Sequence, residues 1–146
     1  MTTLEQKATI SLGSALLFAI INLPQTYQLT NSFLPGITMQ NGCPTSLGLL
    51  IHTLVFGLIS FLTMGNVREQ TWRKVKYSIY GTLIFFFLSS PTIYSLVGNL
   101  LGTTSSAAGC PTITGVAVHA FVYFLALIGV MYLPPDNNLA SVDLMV

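Results

Sequence analysis

The chain has 146 residues, 52% of them hydrophobic and only 6% charged, with a formal net charge of +1. A water-soluble domain carries about 25% charged residues, so this composition excludes an ordinary soluble fold and points to a membrane protein. So few cations also exclude nucleic acid as a partner.

Four stretches lack Asp, Glu, Lys and Arg, at about 8–29, 44–64, 77–97 and 111–133. Each is long enough to cross a hydrocarbon layer of ~30 Å as a helix. Lipid offers the backbone no hydrogen bonds, and no short alternating segments of a barrel are visible. The fold class expected is therefore all-α, a transmembrane four-helix bundle forming one membrane domain over 1–146.

The first stretch follows Lys7 and could be mistaken for a cleaved leader. An internal repeat argues otherwise. Displaced by 67 residues without a gap, positions 7–64 fall on 74–131. Gly42-Cys43-Pro44-Thr45 then lands on Gly109-Cys110-Pro111-Thr112, Gly48 on Gly115, His52 on His119, Pro24 on Pro91 and Tyr27 on Tyr94. Such periodicity decides the architecture, here two copies of a helical hairpin. All five basic residues (Lys7, Arg68, Arg73, Lys74 and Lys76) lie before the first stretch or between the second and third. The bias of basic loops puts both termini and the 66–76 loop in the cytosol. Two spans per copy make the halves parallel, related by a pseudo-twofold axis along the membrane normal.

Late in the first and third stretches, Pro24 and Pro91 remove an amide and free the carbonyls of Ile20 and Phe87, which predicts a kink in each. Asn22, Ser89 and Ser90 lie close enough to help satisfy the opened backbone. Residues shared by these two stretches form no evident stripe.

The charge-free loops of the opposite face, 30–43 and 98–110, are either folded over the mouth of the bundle or form a docking surface. Pro44 and Pro111 suit a first helical turn, which leaves Cys43 and Cys110 at the N-cap positions on the non-cytosolic side. The axis makes the sulfurs equivalent, so a Cys43–Cys110 disulfide is expected; the alternative is two separate thiols. Thr45, Gly48, His52 and Val55 fall within about 80° on a helical wheel, as do Thr112, Gly115, His119 and Val122. The second and fourth helices are thus expected to pack through these stripes, with Gly48 and Gly115 allowing close approach.

His52 and His119 lie in the upper-middle of the bilayer. Facing imidazoles could ligate haem or a metal, or relay protons. A neutral His can instead serve structure, binding a tyrosine, a threonine or a carbonyl released by proline. The structural role is favoured, because no carboxylate or thiolate accompanies the pair. No metal or cofactor is expected. In the 66–76 loop, Arg68, Trp72, Arg73, Lys74 and Lys76 read as an interfacial anchor against anionic lipid. The tail 134–146 reads as a partner contact or a loose end.

Paired Cys-x-x-Cys thiols, membrane-embedded carboxylates, buried Arg–Glu pairs and any nucleophile–base–acid set are all missing from the sequence, so no catalytic residue is assigned and an enzyme is not expected. The twin Gly-Cys-Pro-Thr-x-x-Gly-x-x-x-His pattern, at 42–52 and 109–119, resembles that of small multi-span membrane proteins of large DNA viruses infecting algae and protists. The resemblance implies a component of an internal virion membrane or a minor capsid protein, and it transfers no catalytic residues. The function expected is structural: a scaffold anchoring other membrane or capsid-type proteins, as a homo- or hetero-oligomer. The alternative is a small redox or transport protein using His52 and His119.

Overall fold

The structure is a computed structural model, and it describes residues 4–41, 43–63, 71–102 and 110–132. Among the described residues it is helical apart from turns, one two-residue ladder and an isolated bridge at Pro111. The elements are α1 (Leu4–Asn22), α2 (Pro24–Phe33), β1 (Met39–Gln40), β2 (Cys43–Pro44), α3 (Ser46–Thr63), α4 (Thr71–Ser89), α5 (Pro91–Leu101) and α6 (Ile113–Val130). The two helices α3 and α6 are each long and apolar enough to cross a membrane, and the number rises to four if each bent pair, α1 with α2 and α4 with α5, is one span.

The expected kinks are full breaks. Leu23 and Ser90, each preceding a proline, are extended, with ψ of 139° and 143°. The proline ring excludes the residue before it from the helical region, so α1 and α4 end there. Pro24 and Pro91 then open α2 and α5, where a missing amide costs nothing. The bends are 56° and 57°. Thr26 Oγ1 donates to the freed Ile20 carbonyl at 2.5 Å, and Ser90 Oγ to that of Phe87 at 2.9 Å.

Two helix starts also differ from expectation. Cys43 and Pro44 are not the N-cap and first turn of α3; they pair with Gln40 and Met39 as an antiparallel ladder. Thr45 caps α3 instead, its Oγ1 accepting from Gly48 N at 2.9 Å. Thr112 caps α6 in the same way, with Gly115 N at 3.0 Å. A threonine oxygen accepts an amide proton far better than a sulfur does, so the cap moves two residues on. At its other end the bundle also differs: α4 starts at Thr71, inside the expected 66–76 loop. A helix can extend past the apolar layer while long cationic side chains reach water.

The four long helices touch in a closed order, α1–α3–α4–α6 and back to α1, with α1 and α4 meeting across the short diagonal. The broadest contacts are α1 with α6 and α3 with α4. Each half therefore lays its first helix along the other half's second. The expected packing of α3 against α6 through their stripes is not found, because the two stand at opposite corners and Phe56 and Tyr123 meet only at the centre. Val55 and Val122, at the ends of the expected stripes, point outward and are exposed.

The centre is aromatic. Phe18 meets Phe85 edge-on at 5.3 Å, Phe56 meets Tyr123 edge-on at 5.8 Å, and stacked contacts Phe18–Tyr123 (4.9 Å) and Phe56–Phe85 (4.4 Å) close the group. In lipid, helices gain little from the hydrophobic effect, so such dispersion contacts and interhelical hydrogen bonds carry association. Displaced by 67, Phe18 falls on Phe85 and Phe56 on Tyr123. Matched positions on one face of α1 and α4 are buried in pairs, Ser11 with Ser78, Phe18 with Phe85 and Asn22 with Ser89, while the shared Leu16 and Leu83 are exposed.

Candidate functional site

The polar interior is built around the two helix breaks. A continuous helix would bond the Ile21 carbonyl to the amide four residues on, and the break at Pro24 prevents it. His52 supplies the missing donor, its Nδ1 lying 3.0 Å from Ile21 O. His119 Nδ1 stands 2.8 Å from Leu88 O, the same position in the second half. A carbonyl only accepts, so both rings carry their proton on Nδ1. Each imidazole also stacks on a tyrosine of its own half: Tyr27 on His52 at 3.8 Å and 4°, Tyr94 on His119 at 3.8 Å and 3°. Both pairs are buried.

The outer nitrogens differ. His52 Nε2 lies 3.0 Å from Thr30 Oγ1, whose proton is shared with the Thr26 carbonyl at 2.9 Å. In the second half Val97 replaces Thr30, and His119 Nε2 has no partner among the described residues. His52 therefore has both nitrogens engaged, and the two rings do not offer a facing pair of lone pairs. Among the described residues no three His, Cys, Asp or Glu side chains gather as a metal site.

Asn22 ties the halves together. Its Nδ2 donates to Phe18 O at 3.1 Å within α1 and to Ser89 Oγ at 2.9 Å on α4. Above this level Cys43 and Cys110 form a disulfide, with Cα atoms 5.2 Å apart. The cysteines lie on extended residues ahead of α3 and α6, so they can meet while those helices stay at opposite corners. Comparison with protein-family models, curated proteins and solved structures yields no match. The interior geometry thus stands as the basis for a functional reading.

Of the glycines expected to pack helices, Gly48 admits a loop rather than a helix. A Cβ there would run into the Thr38 carbonyl and lie 2.8 Å from Thr38 Cα. Thr38 N and O belong to the turn that leads into β1, and its carbonyl accepts from Thr45 N at 3.0 Å. Gly115 is buried in α6. Close helix contact uses Gly57 instead, where a Cβ would come 2.7 Å from Thr82 Oγ1 of α4. Nothing in the repeat could flag this position, since Phe124 stands at its counterpart.

Arg68 and the tail 133–146 lie outside the described residues. Trp72, Arg73 and Lys74 fall in the first turn of α4. Lys76 Nζ sits 5.6 Å from the Tyr77 ring centre and 5.7 Å from that of Tyr80. Lys7 Nζ lies 3.7 Å from the centre of the Tyr132 ring just beyond α6, a cation–π contact at the same end. The central aromatic group and the Asn22–Ser89 bond belong to none of the sequence motifs. Their signal was present as aromatic matched to aromatic and polar matched to polar between the copies.

Proposed function

We propose that this chain is a structural membrane protein, a four-span bundle of two parallel-repeat hairpins that anchors or spaces other proteins on a membrane. Taking α1 along the normal, Ala8 to Asn22 rises roughly 21 Å and the tilted α2 adds about 8 Å, which together match the ~30 Å hydrocarbon layer. That fit supports counting each bent pair as one span. The positions of Lys7, Arg73, Lys74 and Lys76 support a cytosolic side for both termini and the 66–76 loop.

The observation that carries the scaffold reading is the use of the histidines. Each ring caps a carbonyl opened by a proline and stacks on a tyrosine of its own half. Intramembrane ionisable groups often mark a pathway or a cofactor, but here the Nδ1 of each ring is engaged by a carbonyl at a helix break, and His119 keeps only its Nε2 without a described partner. The partner class we propose is a protein layer apposed to the membrane, as in the virion membranes whose proteins the twin motif resembles, met as a homo- or hetero-oligomer.

Purification in mild detergent with native mass spectrometry tests the reading. The expected result is a disulfide-linked chain without bound metal or chromophore, and a His52→Ala, His119→Ala double variant with lower thermal stability. Visible absorbance or bound metal that disappears in the double variant would overturn it in favour of a redox or transport role.

A further inference from the structure

A cavity of about 90 Å³ lies beneath the disulfide, lined by both cysteines and by Pro44, Pro111, Ser89 and Tyr94 among others. Two of its walls carry unspent hydrogen-bonding capacity. Tyr94 is 1% exposed, yet its hydroxyl has no partner among the described residues. Ser89 Oγ accepts from Asn22 Nδ2, but no described residue takes its own proton. Buried hydroxyls left unmade cost about 1–3 kcal/mol each, so native interiors supply them with a partner. No charged side chain lines the space, which leaves no basis for an ion. A molecule of water occupies about 30 Å³, and a cavity of this size with two hydroxyl-bearing walls accommodates two or three.

We infer that the cavity under Cys43–Cys110 is a hydration site holding two or three water molecules on the hydroxyls of Tyr94 and Ser89. Both halves line the space, and the two hydroxyls come from the second. In the first half Asn22 replaces Ser89 and spends both its amide bonds on Phe18 and Ser89, and Thr30 engages His52.

Synchrotron hydroxyl-radical labelling of the whole protein in detergent, performed in heavy-oxygen water, tests this. Radicals generated on bound water oxidise the side chain that holds it, even when that side chain is buried. Tyr123 is the internal control: it is also 1% exposed, and its hydroxyl donates to Gly81 O at 3.4 Å. Tyr94 is expected to incorporate heavy oxygen several-fold faster than Tyr123. Labelling of Tyr94 no faster than Tyr123, the outcome for a dry or lipid-filled cavity, would overturn the inference.

Discussion

Asn22 Nδ2 donates to Ser89 Oγ at 2.9 Å, and the two residues stand 67 positions apart, at the same place in each copy of the repeat. The disulfide joins residues with the same separation. Two bonds between equivalent positions, one at the level of the helix breaks and one above it, lock the halves at two heights. Asn22→Ala is expected to destabilise by roughly 1–2 kcal/mol, since it also strands the Ser89 hydroxyl. Thermal unfolding in detergent of the single and double variants with Ser89→Ala would show coupling; strictly additive losses would refute a direct bond.

His52→Phe keeps a ring against Tyr27 but removes the donor to Ile21 O. The carbonyl is then buried without a partner, at about 1–3 kcal/mol. The loss should exceed that of His119→Phe, because His52 also engages Thr30. Equal melting temperatures for the two variants would contradict this ranking.

The difference between the halves suggests a gain as well. Val97→Thr places a hydroxyl where Thr30 stands in the first copy and offers His119 Nε2 a donor. A rise in stability of about 0.6 kcal/mol is expected, the average for a hydrogen bond between membrane helices. Thr30→Val should cost a similar amount, and opposite signs would reject the assigned partners.

Gly48→Ala and Gly13→Ala should behave differently. The first drives a methyl into the Thr38 backbone, which cannot turn aside as a side chain can, and overpacking of this kind costs about 1–3 kcal/mol. Around Gly13 nothing lies within 4 Å, so alanine there should leave the melting temperature nearly unchanged. Comparable losses in the two variants would mean that the loop does not close on α3.

Cys43→Ser opens a loop that spans a whole repeat, and the chain-entropy model gives a loss of about 4.4 kcal/mol. Alkylation of two cysteines in denatured wild-type protein without reductant would rule out the bond itself.

By itself the sequence determined an all-helical chain with stretches long and apolar enough to cross a membrane, the 67-residue period, the paired cysteines and the prolines that interrupt the first and third apolar stretches. These follow from local chemistry: charge-free length, the geometry of proline and equivalence under duplication. Which helices would neighbour each other was decided only in three dimensions. The wheel of α3 groups Gly48 with His52 but cannot say that one meets a loop and the other a carbonyl of its own half. The cap likewise moved to Thr45 and Thr112 because a threonine oxygen competes for amides that a cysteine sulfur leaves free. With the cysteines ahead of the helices, the disulfide constrained the extended segments and left α3 and α6 free to take opposite corners. Packing then followed side-chain volume, as Phe18, Phe56, Phe85 and Tyr123 filled the centre and Gly57 let α3 approach α4. Such choices depend on shapes meeting across the whole chain, and no local pattern encodes them.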